Sequence, residues 1–288
     1  METLQAYLNR RYCKATADKY AKDIARYLEA SGAGQTACYA DIMDYIGLLR
    51  IRYANARTIG GILASVKAYY SWLCHTGIRE DNPAKSIVLK DRINRDVQLQ
   101  DLFSPEELEA LLHFPERFYL HVVRNEVLMG LLVYQALTPR EISALRVPDI
   151  DFRAGTIQVA AQPGSNGRKL PLKPQQVILL LTWLQETRPK LLKGKGHEAL
   201  VIGQRGNGYL PGEITGHVNS RYRDVYAPRK VTPLRIRQSV IANLLAAGHD
   251  LRVVQVFAGH KSLSTTEQYP QTATAALREQ IRQHHPIR

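Results

Sequence analysis

Long apolar runs, paired cysteines and acidic residues are all scarce in this sequence of 288 residues. No apolar run approaches the roughly 18–20 residues that cross a bilayer, so we expect no membrane span. The three cysteines, Cys13, Cys38 and Cys74, have neither disulfide nor metal-ligand spacing. They predict reduced thiols in a cytoplasmic protein. The first five residues are acidic and polar, unlike a signal peptide.

Acidic residues are outnumbered, with 26 Asp and Glu against 39 Lys and Arg and a net charge of +13. The basic residues are spread over both halves of the chain, which favours nucleic acid over a membrane surface as the partner. A solvated basic surface is the plainer alternative. The apolar fraction of 45% is that of a protein with ordinary cores, and the length favours two domains.

Residues 1–84 have the periodicity of a helical domain. Helices are predicted from Thr16 to Ala30, from Asp41 onward, and from about Ala54 to Cys74. Between the apolar positions lie basic residues that suit either DNA phosphate contacts or a solvated helix face: Arg50, Arg52, Arg57 and Lys67.

The segment 85–103 follows an Asn-Pro pair and has mixed charge with weak periodicity. These properties predict an interdomain linker. Two of its basic residues, Arg92 and Arg95, are further candidates for contacts with a DNA backbone.

The second predicted domain, 104–288, contains two similar helix starts. Ser104-Pro105-Glu106-Glu107 and Thr138-Pro139-Arg140-Glu141 each place a hydroxyl at the N-cap, proline at N1 and glutamate at N3. An apolar helix is predicted between them, over about 118–137. Alternating residues around the turn at 163–167 predict a β-hairpin, with strands 156–159 and 168–172. The remaining predicted helices are 175–186, 213–225, 234–247, 251–258 and 273–283.

Three residues near the C-terminus suggest phosphate chemistry. Arg237 lies in the predicted helix 234–247, His260 follows a glycine, and Tyr269 comes nine residues later. Arginine and histidine together bind an anionic oxygen well, and a tyrosine beside them is a candidate nucleophile on phosphorus. Tyr269 is one of 15 tyrosines and a buried core role is the alternative, but its spacing from the Gly-His pair favours the nucleophile.

The order of these pieces resembles the tyrosine recombinases (phage integrases and the Xer type) over nearly the whole chain. The most specific part is 245–269, which reads LAAGHDLRVVQVFAGHKSLSTTEQY. The resemblance implies a mainly α fold with a small β-sheet. It also implies a two-domain, C-shaped DNA clamp made of a helical SAM-like N-terminal domain and a tyrosine recombinase catalytic-type domain.

The same resemblance implies a reaction and an assembly. Such a protein breaks and rejoins duplex DNA through a 3′-phosphotyrosine, with neither metal nor energy cofactor. It would assemble as dimers and tetramers on DNA, with helix 273–283 docked on a neighbouring protomer. Packing of that helix on its own domain is the alternative.

Three of the six family positions are retained, because Tyr269, His260 and Arg237 match the nucleophile, the histidine of the Gly-His pair and the second arginine. The other three positions differ from the family. They hold Thr138 in place of the first arginine, Pro163 in place of the hairpin lysine and Leu234 in place of a histidine. The nearest substitutes for the missing arginine and lysine are Arg140 and Lys169.

The substitutions leave three functions open, since each lost donor of this kind typically costs roughly 10²–10³ in rate. The first is a divergent site-specific recombinase in which Tyr269 cuts. The second is a DNA-binding relative that cannot cut alone and acts as an accessory subunit beside an active recombinase. The third is a replication or regulatory protein that reuses the fold.

Overall fold

The computed structural model describes residues 2–32, 34–91, 99–116 and 118–269. The chain divides into two compact units, 1–95 and 96–288, and the division falls inside the segment predicted as a linker. Helix 273–283 and the candidates Arg92 and Arg95 lie outside the described residues. Within the described ranges, no helix is long and apolar enough to cross a bilayer.

In its described residues, the first unit is a bundle of four α-helices around an aromatic and aliphatic core. The core includes Tyr27 on the second helix and Tyr70 on the fourth, whose hydroxyl oxygens lie 2.5 Å apart, and Tyr70 also donates to the carbonyl of Gly34. Because buried hydroxyls need partners, this pair lets two tyrosines be buried together. The helices are α1 (Leu4–Arg11), α2 (Lys14–Ser31), α3 (Tyr39–Arg52) and α4 (Ala56–His75).

The start of the predicted linker packs on this bundle. Ile87 is buried, and the Nζ atom of Lys67 donates to its carbonyl oxygen at 2.6 Å. Arg50 forms an ion pair with Asp91 at 3.0 Å. Lys67 and Arg50 are therefore engaged within the unit, although Arg50 is exposed, as are Arg52 and Arg57.

The second unit is built from helices around a larger apolar core. Its largest fully buried side chain is Trp183, whose Nε1 donates to the carbonyl of Leu200 at 2.9 Å. Trp183 begins a π-helical turn, Trp183–Thr187. The helices are α5 (Pro105–Ala110), α6 (Tyr119–Val133), α7 (Pro139–Ala144), α8 (Pro174–Thr182), α9 (Arg188–Leu192), α10 (Pro211–Arg221), α11 (Pro233–Ala246), α12 (Leu251–Ala258) and α13 (Leu263–Thr266).

The predicted helix 118–137 is too long, because α6 ends at Val133. Ala136 then takes a left-handed conformation with φ of 50°, and the amide of Leu137 donates back to the carbonyl of Leu131. This conformation is uncommon for a residue with a Cβ. Its effect is to turn the chain sharply before α7 and to leave the Ala136 carbonyl free to accept a side-chain donor.

Among the described residues of this unit, three short antiparallel strands pair in the order β1 (Ile150–Asp151), β2 (Thr156–Val159) and β3 (Arg168–Pro171). Val159 pairs with Arg168, and Gln158 with Lys169. Side chains alternate between faces along a strand, so Arg168 is buried and Lys169 is exposed. The prediction of a mainly α fold with a small sheet is confirmed.

Candidate active site

Arg237 is buried at the start of α11, with 8% of its surface exposed. The helix begins with Thr232 as N-cap, which accepts the amide of Arg235 at 3.1 Å, and this start fixes the position of the next turn. The two terminal nitrogens of Arg237 donate to the carbonyls of Ala136 and Ala258. A guanidinium has five N–H donors, so three remain for an anion. Burial lowers the pKa of Arg237, but arginine stays charged.

A buried carboxylate, Glu141, lies beside this arginine. One of its oxygens lies 3.8 Å from Arg237 and accepts hydrogen bonds from the backbone amide and the hydroxyl of Thr138, at 2.8 and 3.0 Å. The other accepts Arg168 at 2.6 Å and Ser165 at 2.7 Å. Burial alone would raise the pKa of Glu141, yet the hydrogen bonds from these groups outweigh it and lower the pKa to about 2.

The hairpin turn docks on the loop that carries the Gly-His pair. The amide of Asn166 donates to the carbonyl of Gly259 at 2.8 Å, and Arg168 donates to the carbonyl of Phe257 at 2.6 Å. Gly259 has a positive φ of 70°, and a Cβ there would clash with the Arg168 guanidinium. This position therefore requires glycine for both conformation and space.

His260 and Tyr269 follow this loop. Burial, and then the charges of Arg237 and Arg168, lower the pKa of His260 to about 4, so its ring is neutral at pH 7. Tyr269 is partly buried against Ile241, Val254 and Ala258. Burial raises the pKa of Tyr269, while Arg237 acts in the opposite direction. The phenol is therefore protonated at neutral pH.

The structure brings together some of the predicted site residues and separates others. Arg237, near the start of α11, donates to the carbonyl of Ala258, two residues before His260. Its charge acts on the pKa of both His260 and Tyr269, which follow α12 and α13. Arg140 is exposed, in contrast to its neighbour Glu141. Lys169 lies on the opposite face of β3 from Arg168, with its Nζ 3.9 Å from Asp151. Neither substitute belongs to the cluster around Glu141.

The three positions that differ from the family hold no catalytic side chain. Pro163 is exposed in the hairpin turn, and Leu234 is 64% exposed one helical turn before Arg237. Thr138 is the N-cap of α7. Among the described residues, no group of three or more His, Cys, Asp and Glu side chains is arranged to hold a metal ion.

Sequence reasoning missed the roles of Glu141, Arg168 and Thr266. The sequence predicts Glu141 only as the N3 residue of a helix start, and Arg168 only as the first residue of a strand. Thr266 is fully buried, and its Oγ1 lies 2.8 Å from Nδ1 of His260. One sequence signal was available for Arg168. It is a charged residue at a strand position that the alternation of side chains between faces assigns to the core, and such a residue needs a buried partner.

Comparisons with known proteins show the family to which the chain belongs. The sequence profile of the phage integrase family matches residues 102–275. The chain belongs to the phage integrase family. The tyrosine recombinase XerD of Neisseria meningitidis serogroup B is 27% identical over 288 residues, covering 99% of this chain and 96% of the relative. The tyrosine recombinase XerC of Myxococcus xanthus is 30% identical over 251 residues, covering 86% and 82%.

Solved structures of integrase-family proteins share the fold. The XerH site-specific recombinase bound to palindromic difH substrate matches with a TM-score of 0.73 and 20% identity, covering 91% of this chain and 78% of that one. The Tn1549 transposon integrase in complex with transposon right end DNA matches with a TM-score of 0.69 and 17% identity, covering 96% and 99%. At these identities, the likeness establishes the fold.

Glu141→Gln is expected to destabilise the protein by about 3–5 kcal/mol, because it removes one partner of a buried ion pair. The pKa of Glu141 falls from its ordinary 4.5 to about 2 on folding. Its ionised form therefore stabilises the protein fully above pH 4.5, and that contribution is lost as the pH falls towards 2. Urea unfolding between pH 7 and pH 3 measures both effects.

A matched control for this prediction is Glu198→Gln. Glu198 pairs with Arg146 at 3.0 Å, but both side chains are largely exposed, and such pairs contribute about 0–1 kcal/mol. Equal losses of stability in the two variants would show that the Glu141 cluster is not a buried stabilising centre.

Thr138→Arg is expected to raise the rate of any DNA cleavage by about 10–100-fold, since one added phosphate donor is commonly worth 10²–10³. Thr138 donates to the Glu141 oxygen that lies 3.8 Å from Arg237, so an arginine at position 138 would begin beside Arg237. Loss of the N-cap costs about 1 kcal/mol of stability. Single-turnover cleavage is the measurement. Thr182→Arg, on α8, controls for added charge, and an equal gain there would contradict the prediction.

Proposed function

We propose that this protein is a site-specific DNA recombinase that binds duplex DNA and breaks and rejoins strands through a 3′-phosphotyrosine on Tyr269. The observation that supports it most is that the buried Arg237 donates to the carbonyl of Ala258, which belongs to the cluster that Tyr269 packs against and lies two residues before the neutral His260. The surplus of basic residues suits a polyanionic substrate. Because that substrate is cellular DNA, we place the protein in the cytoplasm.

The proposed reaction is a transesterification that balances without any co-reactant. The Tyr269 oxygen forms a bond to phosphorus, and the bond from phosphorus to the 5′ oxygen breaks. The proton lost by the phenol is balanced by the one that the leaving 5′ oxygen gains. Arg237 stabilises the charge that builds on the non-bridging oxygens, and His260 donates to them as a neutral ring.

Compared with the family pattern, the site lacks the lysine that would protonate the leaving 5′ oxygen and the first arginine that would bind the phosphate. With Thr138 in the capping box and Lys169 on the outer face of the hairpin, proton transfer to the 5′ oxygen depends on water or on a rearranged hairpin. Slow cleavage follows from this arrangement. We therefore propose assembly on DNA as dimers or tetramers, or a hetero-assembly in which a second recombinase supplies full activity.

The test is covalent capture on a duplex that carries the protein's binding site, selected from random sequence, with a nick next to the cleavage position. The short strand diffuses away after cleavage, so the protein–DNA link is trapped. We expect a band that survives denaturing electrophoresis and carries the DNA through its 3′ end. Retention of DNA without any covalent band, in the protein alone, would contradict autonomous cleavage.

The second candidate is a DNA-binding family member that does not cut by itself. One observation favours it. Arg140 is exposed and Lys169 lies on the outer face of the hairpin, so neither residue takes the place of the missing arginine or lysine. If a covalent band forms only after an active family member is added to the same duplex, this candidate is the better description.

A further inference from the structure

Thr266 links two residues of the proposed site. It is fully buried at the end of α13. Its Oγ1 lies 2.8 Å from Nδ1 of His260, and its carbonyl oxygen accepts the amide of Tyr269 at 3.2 Å. Thr266 therefore contacts the His260 ring through its side chain and the Tyr269 backbone through its carbonyl oxygen.

The histidine is held from its backbone as well as from its ring. The amide of His260 donates to the carbonyl of Gln255 at 3.0 Å, and the Gln255 side chain donates to the carbonyl of His260 at 3.2 Å. With both peptide groups fixed, the ring orientation is set by the contact to Thr266. A buried hydroxyl needs a hydrogen-bond partner, and the ring nitrogen supplies it.

The chemical group that contacts Nδ1 of His260 influences which ring nitrogen carries the hydrogen. In a neutral imidazole one nitrogen donates and the other accepts. A carbonyl or carboxylate beside Nδ1 would require the hydrogen to be on Nδ1. A hydroxyl can donate instead, which allows Nδ1 to accept and leaves the hydrogen on Nε2.

We propose that Thr266 is a positioning residue whose hydroxyl donates to Nδ1 of His260 and holds the ring in the tautomer that carries hydrogen on Nε2. That N–H is then a donor for a non-bridging oxygen of the phosphate beside Arg237. The inference rests on the proposed function, because the tautomer matters only where a phosphate is bound. It adds a residue that touches neither the substrate nor the reacting atoms.

The tautomer can be read directly by NMR without any reaction. In protein with ¹⁵N-labelled histidines, long-range ¹H–¹⁵N correlations distinguish hydrogen on Nε2 from hydrogen on Nδ1, and His260→Gln assigns the signal among the nine histidines. We expect the Nε2-protonated pattern in the wild type and in Thr266→Ser, and a changed Nδ1 chemical shift in Thr266→Val, because Nδ1 loses the hydroxyl that donates to it. Hydrogen on Nδ1 in the wild type, or an unchanged Nδ1 shift in Thr266→Val, would overturn the proposal.

Covalent capture gives the functional readout. Thr266→Val is expected to slow formation of the covalent complex by about 10–100-fold, since small misplacement of a reacting group costs this much, while DNA affinity is unchanged. Thr266→Ser should recover most of the rate because it keeps the hydroxyl. Thr265→Val makes the same change at the neighbouring exposed position and should have no effect.

The two readouts separate the failure of this inference from the failure of the proposed function. If the wild type forms no covalent complex, the proposed cleavage is wrong, and the NMR pattern still decides which nitrogen of His260 carries the hydrogen. If Thr266→Val does not fold, the wild-type pattern and that of Thr266→Ser decide the same question. Slowing by Thr266→Val with equal slowing by Thr265→Val would count against a specific role.

Discussion

Tyr269→Phe is expected to abolish covalent capture of DNA while leaving DNA affinity unchanged. The ring of Tyr269 packs against Ile241, Val254 and Ala258, and phenylalanine keeps that packing. Only the oxygen that would bond to phosphorus is removed. A matched control is Tyr226→Phe, which loses a hydroxyl that donates to the carbonyl of Glu107 and should capture DNA normally. Capture that persists in Tyr269→Phe would assign the nucleophile elsewhere.

The pH dependence of capture tests the same residue. Because burial raises the pKa of Tyr269 above its ordinary value of 10, the fraction of phenolate is small at neutral pH and grows with pH. Because the pKa of His260 lies at about 4, its ring does not titrate near the ordinary value of 6.5. We expect a capture rate that rises from pH 6 to pH 9 with no inflection near 6.5. An inflection at that pH would show that His260 changes charge during the reaction.

Arg237→Lys is expected to lower the rate of capture by about 10²–10³-fold, the usual cost of one lost donor to the developing charge. The guanidinium donates two hydrogen bonds to the carbonyls of Ala136 and Ala258, and its other N–H groups can donate to the phosphate. An ammonium has three donors and no planar fork, so it cannot satisfy both carbonyls and clamp two phosphate oxygens. Single-turnover capture and DNA binding, measured on the same duplex, separate the loss of rate from any loss of affinity.

Arg235→Lys is the matched control for this prediction. Arg235 lies two residues earlier on the same helix and pairs with Asp101 at 2.7 Å. It keeps its charge in the variant, and its partner belongs to a different part of the unit. Equal losses of rate in the two variants would mean that α11 is simply disturbed and that Arg237 has no special role.

Local sequence signals predicted much of the fold. Ser104 and Thr138 begin helices through capping boxes, as their spacing to Glu107 and Glu141 indicates. Helix α12 ends where Gly259 takes a left-handed conformation. The signal failed at the end of α6, because Ala136 adopts a positive φ that its sequence does not favour. Tertiary contacts around the Ala136 carbonyl outweigh the local preference there.

The candidate site could be predicted only in part, because its remaining features depend on register. The arginine at 168 and the lysine at 169 differ by one strand position, and a one-residue slip of the hairpin would exchange their faces. The observed register places Arg168 against Glu141, 27 residues away in sequence. No local pattern specifies such a pairing. The sequence therefore predicted the tyrosine, histidine and arginine, but not the buried carboxylate between hairpin and helix.

The most direct test of the central claim is to identify the residue that carries the DNA. Trypsin should release Tyr269 in the peptide 262–278, since Lys261 and Arg278 flank it. After covalent capture and nuclease digestion, mass spectrometry is expected to find a nucleotide remnant on Tyr269 of this peptide and on no other residue. A remnant on a different side chain, or a covalent complex in which peptide 262–278 is always unmodified, would contradict the account.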